Sequence, residues 1–511
     1  MIVPIFMRVW DIVKCLFGSN LRPFTAPFRS IPRGAVNFFI RLPSKLTMTR
    51  QPVNRLFASA LVALLAISVS ASPGTDCPTP VSPRLTRTQV TDWAIRTLVA
   101  ALPDAALTGQ LIVMGIERDR DGRPILALDD ATRGIVQDVQ PGAAVFFGQT
   151  FAGIDQVVAL VRELHDASAV PPFIATDYEG GMVSRLTTTG GIPATRIPRA
   201  SVIGEAVRAA DAAAGPGSAA ADASTGARAI DSASNSEGLR LARELGRVMG
   251  RELRSLGVTM NFAPVADVDP SGGIGAIGRH GRTFGDDPVL VGRIAGEIAI
   301  GMQEAGVAAV VKHFPGHGGL AQDSHHGYAM LEASLEDLRL REFVAFSLAF
   351  AAEPMGIMTA HLAVSPALQD GLPATISPGA TRLARGELGY AGLIITDALN
   401  MRAVTEIAPE RELVVLAVHA GADLLLTPLD AVAARDALLE ALENGSISRE
   451  RLESSVVRII AAKEALGVLG PAWAAVLPGA TGDVDRAREV LGSEEHQAVV
   501  ARLVELAGGS R

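Results

Sequence analysis

Residues 307–326 read VAAVVKHFPGHGGLAQDSHH, and the order of residue types in this segment indicates the fold. The segment begins with an apolar run rich in valine, which is typical of a strand buried on both faces of a parallel sheet. The run ends with Lys312 and His313, and a glycine-rich loop that carries an acid and further histidines follows. Such a loop after a buried strand is typical of a mobile catalytic loop. The segment therefore predicts a parallel sheet with polar chemistry at the carboxyl ends of its strands.

The same pattern recurs along the chain, with short apolar runs separated by longer amphipathic stretches. The other runs lie at residues 110–116, 143–148, 172–177, 258–264, 356–361, 392–397 and 422–426. The clearest helical stretches between the runs lie at residues 155–169, 238–256, 287–305 and 335–351. Eight strand–helix units in succession predict an α/β fold, a (β/α)8 barrel of the TIM type.

An open, doubly wound sheet is the alternative fold, because the number of strands alone does not exclude it. Four of the runs end in or beside a polar residue, namely Asp177, His313, His361 and Asp397. In a barrel these carboxyl ends share one rim, which is where the active sites of barrel enzymes form. The pattern therefore favours the barrel.

The N-terminal region has the composition of a targeting segment. Residues 1–71 hold nine Lys or Arg and one Asp, so the net charge of −8 divides into +8 for this region and −16 for the remainder. Residues 48–71 combine a basic start, an apolar run too short to span a bilayer and a small-residue cleavage site that ends at Ala71. We therefore expect a signal peptide at residues 48–71, a non-native or disordered extension at residues 1–47, and a secreted or extracytoplasmic protein without a stable membrane span.

The remainder of the chain is expected to form a linker, a single catalytic domain and a tail. Residues 72–88 are rich in Pro, Thr and Ser and predict the linker, and residues 89–470 contain all the predicted strands. Residues 209–236 are rich in Ala, Ser, Gly and Asp, which predicts a flexible insertion after the third strand. Residues 471–511 are too few for a second domain with its own core, so we expect a tail in which residues 493–507 form one helix on the barrel.

The composition excludes several classes of protein. With 48% hydrophobic and 20% charged residues, the chain is not mostly disordered. Two cysteines in 511 residues exclude a disulfide scaffold and a Cys-rich zinc module. The negative net charge argues against a dedicated nucleic-acid binder, whose surface would be basic.

Four histidines lie close together at the end of the 307–314 run and in the loop that follows it, and three interpretations compete for them. A zinc site would use His313, His317 and His325, but their spacings match no standard pair of zinc ligands on a helix. A structural role, in hydrogen bonds to loop backbone groups, suits His317. The catalytic interpretation pairs Asp323 with His325, because a carboxylate next to an imidazole orients the ring and stabilises its protonated form. This pair predicts a general acid/base, and we expect no metal and no cofactor.

Asp397 lies at the end of the apolar run in GLIITDALNM, residues 392–401. An ionisable side chain at the end of a buried strand is costly unless the site uses it. As a structural residue Asp397 would cap the following helix. On a rim that faces a histidine acid, the same carboxylate would be a nucleophile.

Two further segments add charged side chains to the predicted rim. Asp177 and Arg185 flank the Gly-Gly turn of DYEGGMVSRL, residues 177–186, and Arg282 lies in GRTFGDDP, residues 281–288. Asp, Lys, Arg and His on one rim suit a polyhydroxylated ligand, because a sugar needs many directional hydrogen bonds.

Four motifs on this barrel pattern resemble glycoside hydrolase family 3, and within it the β-N-acetylhexosaminidase (β-N-acetylglucosaminidase) branch. The motifs are KHFPGHG (312–318), DSHH (323–326), TDALNM (396–401) and DYEGG (177–181). The resemblance covers roughly residues 90–470, and the joint occurrence of the motifs is more specific than any one of them.

The resemblance implies a role for each matching residue. Asp397 would be the nucleophile that forms a covalent glycosyl–enzyme, His325 the general acid/base, and Asp323 its partner. The residues implied to bind the terminal N-acetylglucosamine are Asp177, Arg185, Arg282, Lys312 and His313. The implied mechanism retains the anomeric configuration through two displacements.

The expected activity is the exo-acting release of N-acetylglucosamine from cell-wall muropeptides or from chito-oligosaccharides. Such a saccharide is the expected partner, nucleic acid is not, and the sequence does not indicate an oligomeric state. The chain departs from the family in its 209–236 insertion, and it stops soon after the barrel where many secreted relatives carry a second domain.

Three other functions are alternatives to the exo-acting release of N-acetylglucosamine. The β-glucosidases of the family draw their acid/base from outside the barrel, so the DSHH loop argues against that activity. A phosphorolytic variant stays open, because a histidine admits phosphate more readily than a carboxylate does. A sugar-binding protein that has lost catalysis would be expected to lack Asp397 or His325, and both are present.

Overall fold

A computed structural model of the chain describes five stretches of residues, which are 87–188, 191–214, 236–320, 329–469 and 482–508. The expected N-terminal extension and signal peptide, and nearly all of the expected linker, lie outside the described residues.

The chain forms two compact units. Among the described residues, the first unit contains the helix Arg87–Ala100. The second comprises Leu102–Gly470 with Pro478–Arg511, and it contains all the strands that the structure describes.

Eight parallel strands form one sheet in the second unit. They are β1 (Ile112–Ile116), β2 (Ala143–Phe146), β3 (Phe173–Thr176), β4 (Met260–Asn261), β5 (Ala308–Phe314), β6 (Gly356–Thr359), β7 (Leu393–Thr396) and β8 (Leu425–Leu426). Each strand from β1 to β6 pairs with the next strand along the chain, and β8 pairs with β1. A bridge between Ile395 and Leu424 links β7 to the start of β8, so the sheet is a nearly closed barrel. The predicted α/β fold with eight parallel strands in a barrel-like sheet is confirmed, and the strands do not form an open, doubly wound sheet.

All eight apolar runs form strands because both of their faces are buried. Along β1, Val113 belongs to an apolar cluster inside the barrel, whereas Met114 belongs to the cluster between the sheet and the helices. The same alternation places Val145 inside and Ala144 outside in β2. Burial on both faces removes the polar alternation of a half-exposed strand, which is why the sequence shows continuous apolar runs.

Two small sheets lie outside the barrel. Tyr178–Gly180 pairs with Val183–Ser184 in an antiparallel hairpin directly after β3. Ala329–Ala333 pairs with Leu362–Pro366 in parallel, beyond β6.

Helices connect the strands and cover the outside of the barrel. In the second unit they are Asp104–Gly109, Asp130–Val139, Ile154–Ala167, Arg185–Thr188, Ala200–Ala214, Glu237–Ser255, Pro288–Glu304, Leu335–Leu340, Glu342–Phe350, Pro378–Arg382, Arg402–Thr405, Glu410–Ala420, Ala431–Glu443, Arg449–Ala465, Val484–Val490 and Glu494–Leu506. Among the described residues, none of the helices combines the length and the apolar character needed to cross a membrane.

Two of the sequence-based expectations about helices need correction. The stretch 335–351, expected as one helix, is two helices that break at Arg341, whose φ and ψ of −131° and −76° are not helical. The break allows the Glu342 side chain to be buried against Gly316. The two residues are so close that a Cβ added to Gly316 would lie 2.2 Å from Glu342 Cγ. Residues 209–214, expected as the start of a flexible insertion, are the last turns of a helix that ends at Ala214.

The buried carboxylate of Glu252 forms hydrogen bonds that hold the tail against the barrel. Glu252 accepts hydrogen bonds from the backbone N–H of Gly492 at 2.9 Å and pairs with His496 Nδ1 at 3.0 Å. It also accepts from the Tyr178 hydroxyl at 3.0 Å and from Thr195 Oγ1 at 2.6 Å. The expected helix on the barrel is present as Glu494–Leu506, and a second helix, Val484–Val490, precedes it.

Candidate active site

The hairpin after β3 positions two carboxylates at the carboxyl end of the barrel. Gly180 and Gly181 have φ values of +103° and +56°, so the tight turn depends on glycine. Side chains two residues apart in a strand point to the same face, which brings Asp177 and Glu179 together. Tyr178 points to the opposite face, where its hydroxyl bonds to Glu252.

These carboxylates form a buried ionic cluster with two cations, and we call Asp177, Glu179, Arg282 and Lys312 the rim cluster. Lys312 Nζ lies 2.9 Å from Asp177 Oδ1 and 2.7 Å from Glu179 Oε1. Arg282 donates from Nε and Nη2 to the two oxygens of Glu179, at 2.9 and 2.8 Å. Two anions thus balance two cations, as a group of buried charges requires.

The pKa values of the rim cluster follow from this pairing. Burial works against ionisation of Glu179, but Lys312 and Arg282 outweigh it and lower its pKa to about 2. Burial likewise works against the charge of Lys312, yet Asp177 and Glu179 raise its pKa above the usual value. Glu179 and Lys312 are therefore both ionised at neutral pH.

Arg185, which was also predicted to bind the sugar, lies further from Asp177 than Lys312 does. Arg185 begins the short helix after the hairpin, and its Nε is 3.7 Å from Asp177 Oδ2. Its side chain is 38% exposed, so Arg185 lies at the open side of the rim cluster.

His313 faces a second buried carboxylate, Asp267. His313 Nδ1 lies 2.7 Å from Asp267 Oδ2, and Asp267 Oδ1 accepts from the backbone N–H of His317 at 2.7 Å. Burial disfavours the charge of Asp267, but His313 and His317 hold its pKa below the usual value. Burial and the neighbouring His313 lower the pKa of His317. Asp267 therefore orients His313 and anchors the start of the glycine-rich loop.

Asp397 directly follows β7 and is half-buried. Its Oδ1 accepts a hydrogen bond from the backbone N–H of Ala398 at 2.7 Å, the single hydrogen bond to this carboxylate among the described residues. Burial opposes its ionisation, but His361, His313, the Ala398 N–H and Lys312 together hold its pKa below the usual value. Asp397 is thus an anion beside the histidines and the rim cluster, and within the described stretches most of its acceptor capacity is unused.

The structure brings six of the eight predicted site residues to one end of the barrel. Asp177 and Arg185 follow β3, and Arg282 lies in the loop after β4. Lys312 and His313 lie near the end of β5, and Asp397 follows β7. The expected acid/base pair, Asp323 and His325, lies outside the described residues. The loop that carries them is described as far as Leu320, and within it Gly318 lies so close to Val268 O that a Cβ would not fit.

The sequence analysis assigned no role in the site to three of its polar residues. Glu179 and Asp267 contact the predicted residues directly, and the buried His361 bonds to Ala398 O at 2.8 Å. The signal for Glu179 was its spacing of two from Asp177 within a strand-like segment. The signal for Asp267 was its position shortly after the fourth apolar run.

A metal site gains no support from the described residues. The structure describes His313 and His317, which share Asp267, whereas His325, the third ligand of the zinc interpretation, lies outside. Within the described stretches, no three or more His, Cys, Asp or Glu side chains are grouped as metal ligands.

Comparison with known proteins relates this barrel to a family of enzymes. Residues 107–462 match the model of the glycosyl hydrolase family 3 N terminal domain. Beta-hexosaminidase LpqI of Mycobacterium tuberculosis is 30% identical over 423 residues, covering 80% of this chain and 96% of the relative. A beta-hexosaminidase of Methylococcus capsulatus is 35% identical over 312 residues, covering 60% of this chain and 81% of the relative.

A solved structure supports the same relationship. The glycoside hydrolase family 3 β-N-acetylglucosaminidase of Paenibacillus sp. is 34% identical and has a TM-score of 0.64, covering 80% of this chain and 69% of that chain. The barrel and its ionised rim are thus those of a glycoside hydrolase. Because the family model spans more than half of the chain, the chain belongs to glycosyl hydrolase family 3. The relatives support β-N-acetylhexosaminidase as its enzyme class.

Proposed function

We propose that the protein is a retaining exo-β-N-acetylhexosaminidase that releases terminal N-acetylglucosamine. The observation that carries the proposal is the Asp397 carboxylate, whose pKa lies below the usual value and which has a single hydrogen-bond donor among the described residues. An ionised carboxylate with free acceptor capacity at the mouth of a barrel suits a nucleophile, because a fully hydrogen-bonded one would attack poorly.

In the first step, Asp397 attacks the anomeric carbon and the bond to the leaving-group oxygen breaks. His325 supplies the proton that the departing oxygen takes up, and Asp323 stabilises the imidazolium before that transfer. In the second step, water attacks the same carbon, His325 takes up the proton of the water, and Asp397 leaves. Two inversions restore the original anomeric configuration.

The terminal sugar would bind to Asp177, Arg185, Arg282, Lys312 and His313. Lys312 carries three N–H donors and uses two of them on Asp177 and Glu179, which leaves one for a sugar hydroxyl. The similarity to a β-hexosaminidase and to a β-N-acetylglucosaminidase supports N-acetylglucosaminides as substrates. We propose cell-wall muropeptides or chito-oligosaccharides as the natural substrates, and secretion through the signal-peptide pattern of residues 48–71.

The nucleophile is tested by trapping. An N-acetylglucosaminyl fluoride with a further fluorine at C5 should label the mature protein, and mass spectrometry should find the sugar on the peptide that contains Asp397. Asp397→Asn should lower kcat for 4-nitrophenyl N-acetyl-β-glucosaminide by at least about 1000-fold. Its thermal unfolding midpoint should stay near that of the wild type, because the Ala398 N–H keeps a partner. Label on another residue would remove Asp397 from this role.

The acid/base is tested with two leaving groups. His325→Ala should slow hydrolysis of a chito-oligosaccharide far more than that of the activated nitrophenyl substrate, because only the former needs protonation. Equal losses on both would contradict the assignment.

The phosphorolytic variant is tested in the same assay. Product analysis with and without phosphate separates the activities, since phosphorolysis would release N-acetylglucosamine 1-phosphate.

A further inference from the structure

His361 is a buried histidine close to the proposed nucleophile, and the roles assigned above leave it unused. It follows β6 by two residues, and its side chain is inaccessible to solvent. Each ring nitrogen has a close partner: Nε2 lies 2.8 Å from Ala398 O, and Nδ1 lies 2.8 Å from Thr375 Oγ1.

The partner of Nε2 determines where the ring proton lies. A carbonyl oxygen accepts but does not donate, so Nε2 carries a proton and donates it to Ala398 O. On the other side of the ring, Thr375 Oγ1 also lies 3.1 Å from Ala360 O and 3.3 Å from Thr359 O. Thr375 therefore ties the ring to the end of β6, and the direction of the Nε2–H bond is defined.

Ala398 is the residue that binds the proposed nucleophile. Its N–H donates to Asp397 Oδ1 at 2.7 Å, while its C=O accepts from His361. The backbone of Asp397 is held as well, because its N–H donates to Thr359 O at 3.1 Å. One residue thus connects the imidazole to the carboxylate, with β6 as the common support.

We propose that His361 is a positioning residue for the nucleophile: by holding Ala398, it sets the direction in which the Asp397 carboxylate meets the anomeric carbon. The proposal rests on the proposed function, in which Asp397 attacks the sugar. Attack requires an oxygen about 3 Å from the carbon with its lone pair aligned, and a displacement of about 1 Å reduces the rate about 100-fold. The residues proposed to bind the sugar follow β3, end β5 or lie in the loop after β4, away from His361 on the chain, so binding should be affected little.

Two substitutions of His361 distinguish the role of the Nε2 hydrogen bond from that of the Nδ1 hydrogen bond. The amide nitrogen of glutamine reaches the position of Nε2, whereas the shorter asparagine reaches that of Nδ1. His361→Gln should therefore keep a donor to Ala398 O and retain kcat within about 5-fold, while His361→Asn should lower kcat about 100-fold. For both variants, KM for the nitrophenyl substrate and the inhibition constant of N-acetylglucosamine should stay within about 3-fold of the wild type.

The rate of covalent labelling by the C5-fluorinated glycosyl fluoride isolates the attack itself. His361→Asn should be labelled about 100-fold more slowly than the wild type, and His361→Gln nearly as fast. A purely structural role would lower the thermal midpoint of both variants without a difference in labelling rate per folded molecule. Equal labelling rates in the two variants, or a loss confined to KM, would overturn the proposal.

A second pair of variants keeps the test decisive if His361→Asn does not fold. Thr375→Val removes the partner of Nδ1 and leaves the imidazole in place, so kcat should fall about 10-fold with KM unchanged, whereas Thr375→Ser should restore it. An unchanged kcat in Thr375→Val would overturn the proposal. Labelling of the wild type on a residue other than Asp397 would instead refute the proposed function, so the two failures are distinguishable.

Discussion

The two ends of the barrel both bury carboxylates among cations, yet they use them differently. At the carboxyl ends of the strands, the rim cluster pairs two acids with two cations. At the amino ends of β7 and β8, a single acid, Asp423, is surrounded by Arg385, Arg451 and Arg458, and we call these four residues the base cluster.

The difference lies in how much hydrogen-bonding capacity remains. In the base cluster, Asp423 Oδ1 accepts from Ser455 Oγ and from Arg458, and Oδ2 accepts from Arg385 and from the backbone N–H of Ile394. In the rim cluster, Lys312 retains a donor, and nearby Asp397 has one hydrogen bond among the described residues. In the base cluster, the acceptor capacity of Asp423 is used within the protein, so this cluster has a structural role. The rim, by contrast, keeps hydrogen-bonding groups available for a ligand.

The ratio of acids to cations also separates the two ends. Burial is the main cause that lowers the pKa of Arg385, and the neighbouring Arg458 adds to it, although Asp423 acts in the opposite direction. In the rim cluster burial also acts against Arg282, but Glu179, Asp267 and Asp177 raise its pKa. The pKa of a half-buried arginine is therefore shifted in opposite directions at the two ends of the barrel.

At the rim, the expected effect of a substitution is on activity. Lys312→Met removes the cation between Asp177 and Glu179 and a charged donor for the sugar, a contact worth roughly 1.5–3 kcal/mol. We expect kcat/KM for 4-nitrophenyl N-acetyl-β-glucosaminide to fall about 100-fold.

The matched control lies at the other end of the barrel. Arg458→Met removes a cation from the base cluster and should leave kcat/KM per folded molecule unchanged, although its thermal midpoint should fall. Similar losses of activity in both variants would show that the two ends are not functionally distinct.

The next effect is on stability at the base. Asp423→Asn leaves three buried or half-buried arginines without their carboxylate, which should reduce the free energy of unfolding by roughly 3–5 kcal/mol in urea titrations. Asp155→Asn is the comparison variant, because its pair with Arg488 is exposed on both sides. It should leave the urea midpoint nearly unchanged. A small effect in Asp423→Asn would mean that the base cluster does not hold the barrel together.

The smallest expected effect is the response of the rim to acid. The pKa of Glu179 is about 2 in the folded protein, against an ordinary value of 4.5. This carboxylate therefore contributes stability that is present above about pH 4.5 and is lost as the pH falls towards 2. Between pH 5 and pH 3, the wild type should lose about 2 kcal/mol more unfolding free energy than Glu179→Gln does. Parallel curves for the two proteins would show that Glu179 does not couple the rim cluster to pH.

Much of the fold was predictable from the sequence, because burial on both faces of a strand leaves a local trace. All eight apolar runs are strands, even where pairing covers as few residues as Met260–Asn261. The break at Arg341 was not predictable, because it depends on the fit of Glu342 against Gly316 in a distant loop. Local periodicity continues across that position and predicts a single helix.

The site was predictable where a polar residue ends an apolar run. Asp177, His313 and Asp397 stood out for this reason, and the structure brings them to one end of the barrel. Glu179 and Asp267 did not stand out, because their importance comes from their partners and not from their neighbours in sequence. His361 was noticed as a strand end, but its contact with Ala398 was not evident.

The sequence by itself determined that buried parallel strands form, favoured their closure into a barrel, and placed acids, histidines and cations at the carboxyl ends of the strands. Strand burial and strand ends are local properties, so residue order alone encodes them. The tertiary structure decided which charges meet. Lys312 bonds to Asp177 across a separation of 135 residues, and His361 reaches Ala398 across 37. Such pairs depend on the register and closure of the sheet, which bring distant strands to one rim and which no short segment specifies.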